Sequence, residues 1–306
     1  MTHPIVLDCD PGHDDAVAIL LAAGSPEIEL LAVTTVVGNQ TLEKTTYNAR
    51  AVCTAAGITN MPVAAGCAQP LVRAFKPTAA VHGESGLDGV DVPEPGVSLV
   101  DEHAVDLIID TVMAREHVTL VPVGPLTNIA MALRKEPRIA RRVREVVLMG
   151  GAYTRGNVTP AAEFNISVDP EAAALVFDAG WPVTMVGLDL THQALATSDV
   201  IARLATVDTP GARLTVQTLE AYGKGYRPLG LPDPPLHDPC AVARVIAPEL
   251  VRCQGAHVGV ETRGRLTSGM TVTSFDVPPL NAQVATTLDS EGFWKTLVEA
   301  LTRLPG

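Results

Sequence analysis

The 306-residue sequence is poor in features that mark secreted, membrane or zinc proteins. Its five cysteines are far apart and form no CxxC pair, so we expect free thiols in a reduced, cytoplasmic compartment and no zinc ribbon. The apolar run at residues 16–24 is far shorter than the roughly 20 residues of a membrane span. We therefore expect no membrane contact and no export signal.

Basic residues are also scarce. The chain has 22 Lys+Arg against 34 Asp+Glu, a formal net charge of -12, so we expect no general attraction to nucleic acid. Neither a GxGxxG segment nor a Walker loop occurs, which removes the usual sequence signs of a nucleotide phosphate site. Apolar residues are abundant, at 47%, and this excess indicates a folded protein whose sheet is buried on both faces.

The order of apolar and helix-forming segments predicts an α/β fold. A short apolar run at residues 5–7 precedes a polar loop and then a helical stretch at residues 16–23. The same rhythm recurs along the chain, at residues 28–37 with 42–56, 118–123 with 126–133, 143–149 with 170–179, and 183–188 with a helix from 198. This alternation predicts one domain over residues 1–306, with a mostly parallel central sheet flanked by helices.

Two further regions complete the predicted fold. Apolar runs at residues 256–260, 270–275 and 283–288 predict an extra β-rich segment near the C-terminus. The proline-rich residues 226–239 predict a long connection that is a candidate lid. In parallel sheets the ligand binds beyond the carboxyl ends of the strands, so the polar residues that follow the predicted strands are the candidate site.

Four aspartates lie within eight residues after the first predicted strand, namely Asp8, Asp10, Asp14 and Asp15. Carboxylates this close repel one another unless a cation neutralises them. A helix cap by Asp14 or Asp15 is the alternative, but it accounts for one or two of the four. Oxygen ligands select a hard cation, Ca²⁺ or Mg²⁺, with Asp238 and a carbonyl within residues 121–125 as further candidate ligands.

The sequence of residues 8–15, DCDPGHDD, resembles the DxDPGxDD signature of the nucleoside hydrolases, in particular the inosine-uridine-preferring group. Further segments match that family in its order and spacing, at residues 37–41, 82–83, 124–128, 149–151, 163–165 and 237–239. The resemblance implies a Rossmann-like fold, one Ca²⁺ ion per subunit, a homotetramer, and hydrolysis of ribonucleosides to ribose and free base.

The resemblance also implies roles for individual residues. The metal ligands are Asp10, Asp15, the carbonyl of Val123 and Asp238. The contacts to the ribose 2′- and 3′-hydroxyls are Asp14, Asn39, Asn165 and Asp238, and those to the 5′-hydroxyl are Asn157 and Glu163. His82 resembles a family active-site residue and is predicted to contact the substrate.

The chemistry of the reaction supports these assignments. Cleavage of a ribosyl C–N bond builds positive charge on the sugar, which carboxylates stabilise. Asp10 is the predicted acceptor of the proton from a water polarised by the cation, and His237 is the predicted acid for the leaving base. Phe164, Tyr222 and Tyr226 are predicted to stack on or cover the base, with simple packing left open. The remaining histidines are interpreted as ordinary surface or core residues.

Two other classes of protein remain open from the residues. An early Asp-x-Asp also begins Mg²⁺-dependent phosphatases of the haloacid-dehalogenase type, although Pro11 and Gly12 do not fit that pattern. A nucleoside-binding protein without catalysis is the non-enzymatic alternative. Within the family, hydrolysis of both inosine and uridine is the leading hypothesis, and a pyrimidine-restricted enzyme is the second.

Overall fold

A computed structural model describes residues 2–77 and 80–305 of the chain. Nine strands form one sheet in the order β3-β2-β1-β4-β5-β6-β9-β7-β8. The strands are β1 His3–Cys9, β2 Ile28–Thr35, β3 Val63–Ala65, β4 Thr119–Pro122, β5 Glu145–Met149, β6 Val183–Val186, β7 Val251–Val260, β8 Thr271–Phe275 and β9 Ala282–Leu288. All neighbours from β3 to β9 pair in parallel, whereas β7 pairs antiparallel with both β9 and β8.

Eleven α-helices in the described residues connect or flank these strands. They are α1 His13–Gly24, α2 Leu42–Ala55, α3 Ala104–Ala114, α4 Thr127–Lys135, α5 Phe164–Val168, α6 Pro170–Phe177, α7 Leu188–Thr191, α8 Ser198–Leu204, α9 Pro210–Tyr226, α10 Asp238–Ile246 and α11 Ser290–Arg303. No helix of the described chain is both long and apolar enough to cross a membrane.

The sheet is covered on both faces, because its strands alternate between two apolar cores. Along β1, Ile5 and Leu7 point into one core with α1, α2, α9, α10 and α11, whereas Val6 points into the other with α3, α4 and α6. Side chains alternate between the faces of a strand, so a strand buried on both faces needs an unbroken apolar run. The predicted α/β fold with a mostly parallel sheet is therefore confirmed.

The structure also corrects parts of the predicted organisation. The β-rich C-terminal segment is continuous with the central sheet, since β9 pairs in parallel with β6. The predicted lid at 226–239 is shorter than expected: Tyr226 is the last residue of α9, and residues 234–239 are buried, with Asp238 starting α10. Only the short stretch between them, which includes the exposed Leu231, forms an open connection.

Candidate active site

The carboxyl ends of the parallel strands open into a cavity of about 1210 Å³. Twelve of the predicted site residues line it, namely Asp14, Asn39, His82, Val123, Asn157, Glu163, Phe164, Asn165, Tyr222, Tyr226, His237 and Asp238. The remaining two, Asp10 and Asp15, are fully buried and lie outside this lining. Segments far apart in the sequence thus meet at one edge of the sheet, as parallel topology requires.

The loop between β1 and α1 is ordered by the carboxylate of Asp15. It accepts hydrogen bonds from the backbone N–H of Asp10 at 2.9 Å, from that of Gly12 at 3.0 Å and from Asn39 Nδ2 at 3.1 Å. Asp15 therefore caps the first turn of α1, which is the alternative that the sequence left open. The same side chain also belongs to a cluster of carboxylates.

Three carboxylates converge at this end of the cavity. One oxygen each from Asp14, Asp15 and Asp238 lies within 4.8 Å of the others, a spacing that can hold a metal ion. This grouping contains Asp14, whereas the ligand set implied by resemblance contains Asp10. Because Asp14 comes from α1 and Asp238 from the start of α10, the cluster joins two helices that are distant in sequence.

Asp10 lies beside this cluster and is tightly enclosed. Its Oδ2 accepts the backbone N–H of Asn39 at 2.6 Å, while its Oδ1 is buried without a hydrogen-bond partner in the described chain. A Cβ at Gly38 would lie 2.0 Å from Oδ2, and one at Gly124 would lie 2.3 Å from Oδ1. The two glycines thus make room for the carboxylate. We define Asp10, Asp14, Asp15 and Asp238 as the acidic end of the cavity.

The acidic end has no protein counter-charge, since no lysine or arginine in the described residues forms an ion pair with it. Burial, and then the neighbouring carboxylates, raises the pKa of Asp10 and Asp238 well above the usual range. Burial and the charge of Asp15 raise the pKa of Asp14 to about 8, and burial raises the pKa of Asp15. The oxygen-only donors and the unpartnered Oδ1 of Asp10 fit a hard divalent cation.

Asp8, the first aspartate of the motif, belongs to a different network. Its Oδ1 accepts hydrogen bonds from Thr34 Oγ1 at 2.6 Å and from Asn128 Nδ2 at 2.8 Å. Asn128 also donates to the backbone oxygen of Thr35 and accepts the backbone N–H of Cys67. Burial raises the pKa of Asp8 to about 7. The side chain ties neighbouring strand ends together and is not part of the acidic cluster.

Asn165 links the loops after β4 and β5. Its Nδ2 donates to the backbone oxygen of Val123 at 2.8 Å and to that of Met149 at 3.2 Å. The carbonyl oxygen of Val123, a predicted metal ligand, thus already accepts one hydrogen bond at the cavity wall. A carbonyl oxygen has two lone pairs, so one remains for a further partner.

Glu163 is the N-cap of α5 and is almost fully buried. Its carboxylate accepts the backbone N–H groups of Gly151 at 2.9 Å, Asn165 at 2.8 Å and Ile166 at 3.1 Å. Burial raises the pKa of Glu163, against the lowering effect of these hydrogen bonds. Nearby, Asn157 Oδ1 accepts the backbone N–H of Phe164 at 3.0 Å. Both predicted 5′-hydroxyl contacts are therefore held in place by backbone donors.

Histidine and tyrosine side chains form the adjoining part of the cavity, where Tyr222 hydrogen-bonds Asp14 and His237 directly precedes Asp238. His237 Nδ1 lies 2.7 Å from Thr191 Oγ1, and its Nε2 lies 2.9 Å from the Tyr226 hydroxyl. The Tyr226 hydroxyl lies 3.2 Å from that of Tyr222, one turn earlier on α9. Burial lowers the pKa of His237 to about 3, so the ring is neutral at pH 7. These groups form a continuous hydrogen-bonded chain.

His82 completes this part of the cavity. Its ring stacks on His13, with centroids 5.3 Å apart, and on Tyr222, at 5.4 Å. The backbone N–H of His13 donates to His82 Nδ1 at 3.1 Å. His13, which the sequence analysis interpreted as an ordinary residue, therefore supports a cavity-lining ring. We define His82, Tyr222, Tyr226 and His237 as the aromatic end of the cavity.

Several cavity-lining residues were given no role by the sequence analysis, and His192 is one of them. It is exposed to the cavity, and its ring centroid lies 5.7 Å from that of His237. It is the C-cap of α7, three residues after Asp189. In the sequence, Asp189 stands just beyond a predicted strand, where a site residue is expected. His192 lies three residues later, the spacing that places two side chains on the same face of a helix, and this spacing could have identified it.

Comparisons with known proteins agree with this geometry. The family model described as inosine-uridine preferring nucleoside hydrolase matches residues 5–295. The inosine-uridine preferring nucleoside hydrolase of Crithidia fasciculata is 55% identical over 99% of both chains. The pyrimidine-specific ribonucleoside hydrolase RihA of Photobacterium profundum is 46% identical over 98% of this chain and 99% of that one.

A solved structure gives the same result in three dimensions. The purine-preferring ribonucleoside hydrolase from Gardnerella vaginalis superimposes with a TM-score of 0.92 at 35% identity, over 98% of each chain. Both the sequence matches and the structural match extend over nearly the whole chain. They support a nucleoside hydrolase over the two alternatives, a phosphatase and a nucleoside-binding protein without catalysis. The chain therefore belongs to the inosine-uridine preferring nucleoside hydrolase family.

Proposed function

We propose that this protein hydrolyses the N-glycosidic bond of ribonucleosides, inosine and uridine among them, and that it does so with a bound Ca²⁺ ion. The observation that carries the proposal is the division of one cavity into a buried acidic end and a neutral aromatic end. Cleavage requires negative charge beside the ribose and a proton source beside the base. The two ends of the cavity supply these two requirements separately.

The acidic end provides the ligands and the base for the attack by water. Asp14, Asp15 and Asp238 are the clustered carboxylates, and Asp10 and the Val123 carbonyl complete the predicted ligand set. A bound calcium ion would supply positive charge that lowers the pKa of a nearby water molecule. Asp10, whose Oδ1 has no hydrogen-bond partner in the described chain, would accept a proton from the attacking water. Asp14, Asn39 and Asn165 orient the 2′- and 3′-hydroxyls.

The aromatic end provides the proton for the leaving base. As the water oxygen bonds to the anomeric carbon and the C–N bond breaks, electrons move onto the nitrogen of the base. His237 in its protonated form donates a ring proton to the base and is left neutral, while the Tyr226 hydroxyl, 2.9 Å from Nε2, orients the ring. Burial lowers the pKa of His237 to about 3, so the protonated ring is a strong acid that takes its proton from solvent before each turnover.

We propose that the enzyme accepts both purine and pyrimidine nucleosides. Relatives of both kinds match the chain, and the cavity of about 1210 Å³ has room for a purine. Tyr222, Tyr226 and His237 form a hydrogen-bonded chain, which suits the departure of a nucleobase that has to be protonated as it leaves. A pyrimidine-restricted enzyme is the alternative, and steady-state rates with inosine, adenosine, uridine and cytidine distinguish the two.

The decisive experiment measures ribose released from inosine and uridine by the full chain. The enzyme is first freed of metal with a chelator and then supplied with Ca²⁺, Mg²⁺ or Zn²⁺. We expect Ca²⁺ to restore the release of reducing sugar. A chain that binds inosine but releases no ribose with any of the ions contradicts the proposed hydrolysis. Turnover of p-nitrophenyl phosphate serves as the control for phosphatase activity.

We propose further that the enzyme acts in the cytoplasm as a homotetramer, in salvage of purine and pyrimidine bases. The resemblance to the family supports the tetramer, and the five free cysteines agree with a reducing compartment. Light scattering coupled to size-exclusion chromatography tests the assembly, with a monomer as the contradicting result. Cell fractionation tests the location.

A further inference from the structure

The structure assigns Asp189 as a positioning residue for the end of the cavity that receives the ribose 5′-hydroxyl. Asp189 lies in α7, immediately after β6, and lines the cavity. The inference rests on the proposed function, because it concerns the nucleoside that the same cavity binds. It adds a residue that organises the loop at 150–158 without itself taking part in the reaction.

Both carboxylate oxygens of Asp189 hold this loop. Oδ2 accepts the backbone N–H of Tyr153 at 2.7 Å, and Oδ1 accepts the hydroxyl of Thr154. The Tyr153 N–H can only donate, so it requires an acceptor oxygen, whereas the Thr154 hydroxyl can donate or accept. The carboxylate of Asp189 accepts from both groups at once and so joins two consecutive residues of the loop.

The first residues of the loop, Gly151 and Ala152, are held by other hydrogen bonds. The backbone N–H of Leu188, next to Asp189, donates to the Gly151 oxygen at 2.9 Å, and the Gly151 N–H donates to Glu163. Ala152 exchanges two hydrogen bonds with Thr271 Oγ1. Asp189 extends this anchoring by two further residues, towards the exposed part of the loop.

The part that Asp189 steadies leads directly to Asn157. Asn157 lies three residues after Thr154, is exposed in the cavity wall, and bonds the backbone of Phe164 beside Glu163. Asn157 and Glu163 are the predicted contacts to the 5′-hydroxyl. Gly156 and Val158, on either side of Asn157, bond the later residues Pro160 and Ala162. Loss of the Asp189 bonds removes the anchor on the N-terminal side of this turn, so the position of Asn157 relative to Glu163 is less defined. A small displacement of a substrate contact is enough to lower the rate strongly.

Asp189 also lies one helical turn from His192, at the aromatic end of the cavity. A role through His192 would act on the base, whereas a role through the loop acts on the 5′-hydroxyl. The two roles differ in a measurable way, since only the second disappears when the substrate has no 5′-hydroxyl. Inosine and 5′-deoxyinosine therefore form a suitable pair of probes.

The experiment compares Asp189→Ala, Asp189→Asn and Thr154→Val with the wild type on both nucleosides. We expect Asp189→Ala to lower kcat/KM for inosine about 30-fold and that for 5′-deoxyinosine less than about 3-fold. Thr154→Val, which removes one bond, and Asp189→Asn, which keeps the shape of the side chain and removes its charge, give smaller losses with the same dependence on the 5′-hydroxyl. Asp289→Ala, which removes an exposed cap at the start of α11, is the control and changes neither value by more than about 2-fold.

The same comparison is made for the Kd of the two nucleosides by calorimetry, so that it does not depend on turnover. Equal losses on both nucleosides, in rate and in affinity, overturn the positioning role and point to His192 or to the fold. No loss on either also overturns it. A wild-type chain that binds inosine without releasing ribose contradicts the proposed hydrolysis, while the Kd values still decide the role of Asp189.

Discussion

At the acidic end of the cavity the functional groups come from loops and helix starts that follow different strands, whereas at the aromatic end Tyr222 and Tyr226 come from one helix. Asp10 follows β1, Asp14 and Asp15 begin α1, and Asp238 begins α10. Tyr222 and Tyr226 are separated by one turn of α9 and meet His237 through hydroxyl groups. The first arrangement depends on long-range topology, whereas in the second the Tyr222–Tyr226 pair follows from helical spacing and only His82 and His237 are brought in from other parts of the chain.

The two ends also differ in how they are stabilised. The acidic end is a set of buried carboxylates whose ionisation is opposed by desolvation and by mutual repulsion. The aromatic end carries no carboxylate, and its Tyr226 and His237 bond each other, although Tyr222 also hydrogen-bonds Asp14. On the proposed function, metal binding should therefore act mainly on the first end. The following predictions test this separation, from the largest expected effect to the smallest.

Replacing Asp10 by alanine is expected to abolish the function of the acidic end. Removal of the predicted proton acceptor and ligand should lower the rate of ribose release by about 1,000-fold or more. Calcium retained per chain after gel filtration should fall at the same time. Asp8→Asn, two residues earlier, is the matched control and should keep both. Retention of calcium and activity by Asp10→Ala would show that Asp14, Asp15 and Asp238 suffice.

The His237→Ala variant tests the aromatic end by itself. The loss of the predicted acid should slow inosine hydrolysis by about 100-fold or more. Hydrolysis of p-nitrophenyl riboside should change little, since its leaving group needs no proton. Steady-state kinetics on both substrates give the comparison, and calcium binding should stay at the wild-type level. Equal slowing of the two substrates is the result that speaks against His237 as the acid.

Calcium should stabilise the fold through the acidic end. Binding to the folded state only should raise the free energy of unfolding by about 2.7 kcal/mol when free calcium is 100 times its Kd. Urea unfolding at several calcium concentrations measures the effect. His237→Ala should show the same calcium dependence as the wild type, and Asp10→Ala a weaker one. A calcium dependence altered equally in both variants would mean that the two ends are coupled.

The Tyr226→Phe substitution should give a moderate effect at the aromatic end. It removes the hydroxyl that bonds His237 Nε2 and keeps the ring, so inosine hydrolysis should slow about 10-fold. The rate with p-nitrophenyl riboside again serves as the reference. If both substrates slow alike, the hydroxyl acts on the shape of the cavity and not on the supply of protons.

Asp8 is expected to affect stability and not activity. Burial raises the pKa of Asp8 in the folded chain to about 7, above its ordinary value of 3.8, so between these values the folded state binds the extra proton. The stability that this group contributes is therefore lost as pH rises from about 4 to 7, by about 1 kcal/mol per pH unit between pH 5 and 6. Asp8→Asn should flatten this slope in denaturant unfolding, and an unchanged slope would contradict the shifted pKa.

Several elements could not be predicted from the sequence. Strand β3 has three residues, and α3 and α9 fall in stretches that the alternation of strands and helices did not reveal. The missed α9 is the most consequential, because it carries Tyr222 and Tyr226, which were predicted only as residues near a proline-rich loop. Thr209 at its N-cap and Pro210 at its first position were the available signals.

The amino-acid sequence by itself determined the α/β fold and the strand-end position of the site, which follow from apolar runs, helical stretches and a motif dense in aspartate. Its resemblance to a known family also pointed to most of the twelve predicted residues that line the cavity. Only the tertiary structure decided that Asp8 faces Thr34 and Asn128 while Asp14 joins Asp15 and Asp238. The reason is physical: neighbouring aspartates look alike in sequence, and their roles are separated by which distant strand, helix or loop packs against each one.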